Sequence, residues 1–281
     1  MPNGEGPVAI VTGASSPIGT GAAIARRLAA AGWRLLLVAD GPEAGLAQGA
    51  AAYRAGRAPE AAEGWIADLG DAAAATGMVE RALARFGRVD ALVNNAALRI
   101  FMLFGEFSAE DFDRAVAVNL RAPFLASRAV AGPMRRQGGG RIVNIASQLG
   151  SVTYPTRALY GLTKAGLIHL TKPMALELVR DNIAVNAISP APIETAPSIE
   201  RARRNPAAAR DRLRYIPMGR MGRPEEVAEP TFLLLTTSAT FRAGHNLIVD
   251  GGYTLHEQPV GFASAGGGGG CGCDQVARSR R

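Results

Sequence analysis

The sequence predicts an α/β protein with a single doubly wound parallel sheet and helices on both of its faces. Short apolar runs typical of buried strands alternate with helical stretches, and a glycine-rich turn joins the first strand to the first helix. Alternation of this kind favours a parallel sheet covered on both sides. Because 48% of the 281 residues are hydrophobic, the chain can bury a large core. We therefore expect one domain over residues 1–255.

The first strand and the first helix enclose the glycine-rich turn. Residues 8–11 form an apolar run, and residues 22–31 carry Ile24 and Leu28 four positions apart, which predicts a helix. The turn between them includes Gly13, Gly19 and Gly21. Glycines let the backbone approach a pyrophosphate, and the free N–H groups at a helix N-terminus attract its charge. The segment therefore predicts a phosphate-binding site.

Further strands are predicted along the rest of the chain, at residues 34–40, 91–93, 141–145 and 184–188. Helical stretches separate them, as a sheet with parallel crossovers requires. No boundary-like linker and no internal repeat interrupts this alternation. These elements complete the predicted sheet.

Ser147, Tyr160 and Lys164 form a candidate catalytic group. On a helix, residues i and i+4 share a face, so the Lys164 ammonium can lie beside the Tyr160 phenol. A free phenol titrates near ~10, and a nearby positive charge favours the phenolate. The Ser147 hydroxyl can donate a hydrogen bond to a substrate oxygen and stabilise the charge that develops there. The three residues predict acid/base chemistry that accompanies hydride transfer.

Several motifs that occur in one order relate the chain to a known family. They are the Thr12-Gly13 turn, Asp68-Leu69, Asn94-Asn95-Ala96-Ala97, Asn119, Ser147, Tyr160, Lys164, residues 190–195 and Val249-Asp250-Gly251-Gly252. With these motifs, the chain resembles a short-chain dehydrogenase/reductase over roughly residues 7–255. The resemblance implies a Rossmann fold and an enzyme that transfers a hydride between NAD or NADP and a secondary alcohol or ketone.

The resemblance also implies a role for each matching residue. In the tetrad of Asn119, Ser147, Tyr160 and Lys164, Tyr160 is the acid/base, Ser147 orients the substrate oxygen, Lys164 lowers the tyrosine pKa and binds the nicotinamide ribose, and Asn119 holds a water in the proton relay. Asp68 is expected at the adenine edge. No metal site is expected. The implied cofactor-binding residues are Gly13, Ser15, Gly19, Thr20, Gly21, Asp40, Asp68, Leu69, Asn94, Asn95, Ala96, Tyr160, Lys164, Pro190, Ile193 and Thr195.

Asp40, at the end of the second predicted strand, favours NAD as the cofactor. A carboxylate there accepts hydrogen bonds from the adenosine ribose hydroxyls and repels a 2′-phosphate. NADP stays possible, because Asp40, counted from Gly32, falls one residue later than the family's usual NAD-selecting acid. The glycine turn is also longer than the family's and contains Pro17, while Ala97 stands where the family has glycine.

Residues 191–215 correspond to the variable lid over the substrate in the family. The lid is rich in arginine, with Arg201, Arg203, Arg204, Arg210, Arg212 and Arg214. These residues form either a solvated helix face or contacts with an anionic substrate or carrier. Two substrate hypotheses stay open: a polyol, sugar or similar small alcohol with NAD, and a 3-oxoacyl thioester with NADPH. A non-catalytic dinucleotide-binding sensor would instead be expected to have a damaged tetrad.

Charge and hydropathy exclude other classes of protein. The net charge is +7, but we find no aromatic or groove-reading elements for nucleic acid. No apolar run approaches the ~18 residues that cross a membrane, and the N-terminus lacks the regions of a signal peptide, so we expect a cytoplasmic protein. The family implies a homo-oligomer, a dimer or tetramer. Residues 256–281, with a glycine run, Cys271 and Cys273, are expected to be disordered.

Overall fold

A seven-stranded parallel sheet forms the centre of the protein. The computed structural model describes residues 6–41, 49–51, 53, 61–237 and 241–255. Within these residues the sheet has the order β3-β2-β1-β4-β5-β6-β7, and every pair of neighbours is parallel. The strands are β1 (Val8–Thr12), β2 (Arg34–Ala39), β3 (Ala62–Ile66), β4 (Ala91–Asn94), β5 (Gly140–Ile145), β6 (Ile183–Pro190) and β7 (Asn246–Val249).

Helices cover both faces of this sheet. They are α1 (Thr20–Ala30), α2 (Ala72–Phe86), α3 (Ala109–Val116), α4 (Ala122–Arg136), α5 (Ala158–Leu178), α6 (Ala196–Arg204), α7 (Pro206–Leu213) and α8 (Pro224–Thr236). A π-helical segment, Ala117–Arg121, joins α3 to α4. The predicted doubly wound α/β fold is therefore confirmed. None of the described helices is long and apolar enough to span a bilayer.

The alternating side chains of β1 explain why the strand is apolar throughout. Ala9 and Val11 belong to the core cluster that includes Leu28 of α1, whereas Val8 and Ile10 belong to the cluster on the other face. Successive residues of a strand point to opposite faces, so a strand covered on both faces is apolar at every position. Each fully buried aliphatic side chain contributes about 1.5–3 kcal/mol.

From β1 the strand order runs outward in both directions, through β2 to β3 and through β4 to β7. Such a reversal leaves a crevice at the carboxyl ends of the strands. β1 lies between β2 and β4, which is the point where the strand order reverses. The lid that the sequence places at residues 191–215 follows β6 and contains α6 and α7. The predicted tail at residues 256–281, including Cys271 and Cys273, lies outside the described residues.

Several element boundaries differ by a few residues from the sequence-based prediction, and two of them lie beside the crevice. The first helix begins at Thr20 rather than at residue 22, so that Gly21 lies inside it. The second strand ends at Ala39, because the Ala39 carbonyl accepts the last hydrogen bond, from Ala67 N at 2.9 Å. Asp40 therefore lies in the loop beyond the strand, at the open edge of the sheet.

Candidate active site

The glycine turn packs so tightly that two of its positions exclude a side chain. Gly13 has φ +69°, and a Cβ there would lie 2.8 Å from the Cα of Ala96. A Cβ on Gly21 would lie 2.4 Å from the Gly13 carbonyl oxygen. Gly19 caps α1 with no side-chain hydrogen bond. The first N–H groups of α1 are therefore available to an anion in the cleft.

Thr12 and Asn95 join the two strand ends on either side of the switch point. The Thr12 hydroxyl oxygen accepts from the backbone N–H groups of Asn95 and Ala96 at 2.9 and 3.0 Å. The Asn95 side-chain amide donates to the carbonyls of Thr12 and Gly13 at 2.8 and 3.1 Å. These four bonds hold the floor of the crevice in one arrangement.

Two carboxylates and an arginine line the far end of the same cleft. Asp40 follows β2, Asp68 follows β3, and Arg114 reaches them from α3. Arg114 Nη2 donates to Asp68 Oδ1 at 2.9 Å, and Gly70 N donates to the same oxygen at 2.8 Å. The Arg114 bond, and after it the Gly70 bond, lowers the pKa of Asp68. The cleft thus offers ionised acceptors at this end.

Thr195 places a buried hydroxyl without a partner in the cleft. Its side chain is 7% exposed, lines the cleft and has no hydrogen-bond partner among the described residues. A buried hydroxyl without a partner is costly, so a ligand that supplies the bond is favoured here. Together with the free N–H groups of α1 and the close-packed glycines Gly13 and Gly21, this residue fits a dinucleotide.

The backbone of α6 is joined directly to the glycine turn. Ala196 N, at the first position of α6, donates to the carbonyl oxygen of Ile18 at 3.0 Å. Ile18 lies in the turn, between Pro17 and Gly19, and lines the dinucleotide cleft. The predicted lid and the glycine turn therefore share a hydrogen bond.

Ser147, Tyr160 and Lys164 line a second cleft that adjoins the first. Tyr160 and Lys164 lie on α5, and Ser147 follows β5. Lys164 Nζ donates to the carbonyl of Ile145, the last residue of β5, at 2.7 Å and lies 5.7 Å from the centroid of the Tyr160 ring. Ser147 Oγ donates to Gln148 Oε1 at 2.9 Å. The sheet edge and one helix face thus bring the three side chains to one cleft.

Burial shifts the titration of Lys164. Lys164 is 1% exposed and has no carboxylate within ion-pair distance among the described residues. Burial, and to a lesser extent the charge of Arg99, lowers the pKa of Lys164 from 10.5 to about 7. A lysine with this pKa changes its charge near neutral pH, and it is therefore responsive to any negative charge beside it.

Asn119 lies in the π-helical segment and is fully buried. Its Nδ2 donates to the Leu98 carbonyl at 2.9 Å and to Thr163 Oγ1 at 3.1 Å, and its Oδ1 accepts from Leu98 N at 2.7 Å. Thr163 Oγ1 in turn donates to the Tyr160 carbonyl at 2.9 Å. Asn119 therefore connects the loop after β4 to the helix that carries Tyr160, and its role in holding a water remains a prediction.

The structure also shows site residues that the sequence motifs do not identify. Phe101 lies edge-on to Tyr160 with ring centroids 5.8 Å apart, and Arg99 and Phe101 line the second cleft. The guanidinium of Arg157 stacks on the Phe101 ring at 3.8 Å. The sequence motifs also do not identify Arg114, which lines the first cleft. These residues lie in loops or on an exposed helix face, where no periodicity marks them.

Most of the predicted cofactor-binding residues meet in the two clefts, but two do not. The Oγ of Ser15 lies beside Gly41, outside both clefts, and it is Ser16 that lines the first one. Asn94 points into the core, where Nδ2 donates to Asn144 Oδ1 at 2.8 Å. The residues that line the clefts are Gly13, Gly19, Thr20, Gly21, Asp40, Asp68, Leu69, Asn95, Ala96, Tyr160, Lys164, Pro190, Ile193 and Thr195.

Comparison with known proteins identifies the family. A family model described as enoyl-(acyl carrier protein) reductase matches residues 13–254. A solved structure of a short-chain dehydrogenase/reductase mutant from Serratia marcescens superposes with a TM-score of 0.81 at 33% identity, covering 89% of this chain and 98% of that chain. The chain belongs to the short-chain dehydrogenase/reductase family. As in the family, it is an NAD(P)-dependent oxidoreductase that acts on CH–OH groups.

Relatives with assigned activities agree with both substrate hypotheses. The D-threitol dehydrogenase of Mycolicibacterium smegmatis is 37% identical over 255 residues, which cover 89% of this chain and 94% of that protein. A 3-oxoacyl-[acyl-carrier-protein] reductase from Thermotoga maritima is 33% identical over 252 residues, which cover 89% of this chain and 99% of that protein. The predicted family, fold and class of reaction are confirmed, and the substrate is left to the geometry of the site.

Proposed function

We propose that this short-chain dehydrogenase/reductase oxidises a secondary hydroxyl of a small alcohol, such as a polyol or sugar derivative, with NAD. The observation that carries the proposal is the shared cleft of Ser147, Tyr160 and Lys164, which adjoins the dinucleotide cleft. The bound nicotinamide would accept or supply the hydride. A catalytic geometry with all four tetrad residues present argues against a non-catalytic sensor.

Each catalytic side chain has a separable task in this proposal. Tyr160 takes the proton of the substrate hydroxyl during oxidation and returns it during reduction of the ketone. Ser147 donates a hydrogen bond to the same oxygen and stabilises its developing charge. Lys164 in its charged form favours the phenolate, and two of its three N–H groups remain beyond the bond to Ile145, so it can also hold ribose hydroxyls.

The dinucleotide cleft supports the assignment of cofactor groups to residues. The glycine turn and the N-terminus of α1 would hold the pyrophosphate, Asp40 and Asp68 the adenosine, and the Thr195 hydroxyl a polar group at the other end. Asp40 is exposed at the edge of this cleft, and its negative charge supports NAD over NADP. Arg114 lies close enough to contribute to the local charge, which keeps NADP as the alternative.

Replacing Tyr160 tests the acid/base assignment. In a Tyr160→Phe variant the ring and its contact with Phe101 remain while the hydroxyl is lost, so turnover should fall by at least ~100-fold. Binding of NADH, followed by nicotinamide fluorescence, should stay nearly unchanged. Retained turnover would show that another group moves the proton.

Replacing Asp40 tests the cofactor preference. If Asp40 holds the ribose hydroxyls, Asp40→Ala should narrow the ratio of kcat/KM for NAD over NADP by about tenfold. Asp113→Ala removes a comparable exposed carboxylate from α3 and should leave the ratio as it is. A ratio that Asp40→Ala leaves unchanged would place cofactor selection elsewhere in the cleft.

A 3-oxoacyl thioester is the second candidate substrate, and the cationic lid is the observation that favours it. An acidic carrier protein would be attracted to the exposed arginines of α6 and α7. Reduction of a 3-oxoacyl thioester with NADPH, measured beside oxidation of polyols with NAD, separates the two candidates. A kcat/KM for the thioester that exceeds every alcohol would overturn the first proposal.

We also propose that the protein is a homo-oligomer. Exposed apolar side chains support a buried partner surface on α4 and α5, with Phe124 44%, Leu162 53% and Leu176 78% exposed. Size-exclusion chromatography with light scattering would measure the mass. A monomer at micromolar concentration would contradict the proposal. Location in the cytoplasm remains a prediction from the sequence.

A further inference from the structure

Four arginines from four separate chain segments converge at the mouth of the catalytic cleft. Arg99 follows β4, Arg157 precedes α5, Arg201 lies on α6 and Arg212 lies on α7. Arg99, Arg201 and Arg212 line the same cleft as the catalytic residues. The guanidinium carbons of Arg157 and Arg201 lie 3.8 and 5.3 Å from the centroid of the Phe101 ring. The Phe101 ring in turn contacts the Tyr160 ring, with centroids 5.8 Å apart, so both guanidinium groups pack on a side chain that touches the proposed acid/base.

This charge has no counter-charge in the described part of the protein. The cleft is lined by no Asp or Glu among the described residues, and none of the four arginines forms an ion pair there. Two other arginines of the lid do have a carboxylate partner. Arg204 pairs with Glu200 at 2.9 Å, and Arg214 pairs with Asp211 at 3.6 Å. Arg201 and Arg212 therefore line the cleft without a carboxylate partner among the described residues.

Partial burial makes the missing counter-charge costly. Burial, followed by the like charges of Arg201 and others, lowers the pKa of Arg212, and burial with the charges of Arg212 and Arg201 lowers that of Arg157. Like charges that are held close together and partly desolvated are destabilising unless an anion lies between them. The guanidinium fork pairs with carboxylate or phosphate through two parallel hydrogen bonds.

We propose that these arginines form an anion subsite for the substrate, which is a secondary alcohol or ketone that carries a carboxylate or phosphate group. The inference deepens the proposed function, on which it rests, by naming the substrate class. The anionic group lies among Arg201, Arg212 and Arg157, and the hydroxyl that is oxidised lies at Ser147 and Tyr160. A hydroxy acid, a sugar acid or a sugar phosphate has this combination, whereas a neutral polyol lacks the anion.

The position of the subsite distinguishes substrate from cofactor and from a carrier protein. Arg99 lines both clefts and is within reach of either ligand, but Arg201 and Arg212 line the catalytic cleft and not the dinucleotide cleft. A carrier protein would meet the outer face of the lid, where Arg204 and Arg214 lie. Arg212 is therefore the residue whose replacement separates these cases.

The test compares matched substrates in wild-type protein and in an Arg212→Gln variant. For each protein, kcat/KM for oxidation with NAD is measured on three sets of compounds: small polyols, sugar acids of the same chain length and the corresponding phosphate monoesters. Loss of one charge-assisted contact should lower kcat/KM for the anionic substrates at least about tenfold, mainly through KM, and leave that for neutral polyols nearly unchanged. Arg214→Gln removes the same charge from the outer face, and it should leave kcat/KM unchanged for both the anionic substrates and the neutral polyols. Whether acids or phosphates respond identifies the anion.

A second readout does not depend on turnover. With NADH present, the anionic compounds should raise the Tm of the wild-type protein and not that of Arg212→Gln, whereas neutral polyols should have no such differential effect. Equal effects of Arg212→Gln on neutral and anionic substrates, or no anion-specific rise in Tm, would overturn the subsite while the proposed oxidation of alcohols still stands. Absence of turnover with every alcohol, alongside an anion-specific rise in Tm, would instead refute the proposed reaction and retain the subsite.

Discussion

Replacing the buried catalytic lysine should make the cofactor-free protein more stable. The shift of the Lys164 pKa from 10.5 to about 7 corresponds to a cost of about 5 kcal/mol for burying the charged form, at about 1.4 kcal/mol per pKa unit. Methionine fills a similar volume without the charge, but it leaves the Ile145 carbonyl without its bond, at a cost of about 1–3 kcal/mol. At neutral pH, Lys164→Met should therefore raise the free energy of unfolding by about 2–4 kcal/mol while it abolishes turnover.

The pH dependence gives the sharper measurement. Below about pH 7, Lys164 is protonated in both the folded and the unfolded protein, so folding bears the full cost of burying its charge. Above about pH 7, Lys164 loses its proton in the folded protein but keeps it in the unfolded protein. The free energy of unfolding of the wild-type protein should rise by about 1.4 kcal/mol per pH unit from there towards pH 10.5. Urea unfolding at about pH 7.5 and about pH 9.5 measures the slope.

Two outcomes would refute this reasoning. One is a wild-type free energy of unfolding that does not rise across this pH interval. The other is a Lys164→Met variant that is less stable than the wild type at neutral pH or retains the slope. Lys172→Met is the matched control, because Lys172 lies exposed on the same helix. That variant should keep the wild-type slope.

Two further predictions concern packing around the site. Gly21→Ala should destabilise the protein by about 1–3 kcal/mol and weaken binding of NADH. The reason is that the new Cβ would lie 2.4 Å from the Gly13 carbonyl oxygen. Gly132→Ala is the control, because the atom nearest to its Cβ lies at 3.6 Å. Thermal melts and fluorescence titration test this, and equal behaviour of the two variants would contradict it. Asn144→Ala should lower the free energy of unfolding by about 1–3 kcal/mol, because it removes the buried acceptor of Asn94; an unchanged urea midpoint would show that the amide pair is not stabilising.

The sheet and the placement of Tyr160 and Lys164 on one helix face could be predicted from the sequence, because both follow from short-range patterns. Apolar runs covered on two faces have to be continuous, as in β1, and the spacing of Tyr160 and Lys164 fixes a common helix face. The start of α1 was misplaced, because Gly21 has a low helix propensity. That glycine is inside the helix because the Gly13 carbonyl occupies the space of its side chain.

The direction of a side chain at a strand end was harder to predict. Asn94 and Asn95 are neighbours in one motif, but Asn94 is the last residue of β4 and Asn95 the first beyond it, and successive side chains of an extended chain point in opposite directions. Asn95 therefore reaches Thr12 at the cleft, while Asn94 enters the core beside Asn144. The arginine subsite depends on tertiary folding altogether, since Arg99 and Arg157 come from loops that no periodicity relates. The sequence showed an excess of arginine in the lid, but not which arginines face inward.

The hydrogen bond between Ala196 and Ile18 has a consequence for the order of events in a catalytic cycle. The predicted lid starts beside the glycine turn, and a backbone hydrogen bond of 3.0 Å joins the two. Among substitutions at position 196, only proline removes its donor. We expect a displacement of the glycine turn on cofactor binding to move the first residue of α6 as well. The enzyme should accordingly bind the dinucleotide before the alcohol or ketone substrate and release the dinucleotide last. Initial-rate kinetics should then follow an ordered rather than a random mechanism.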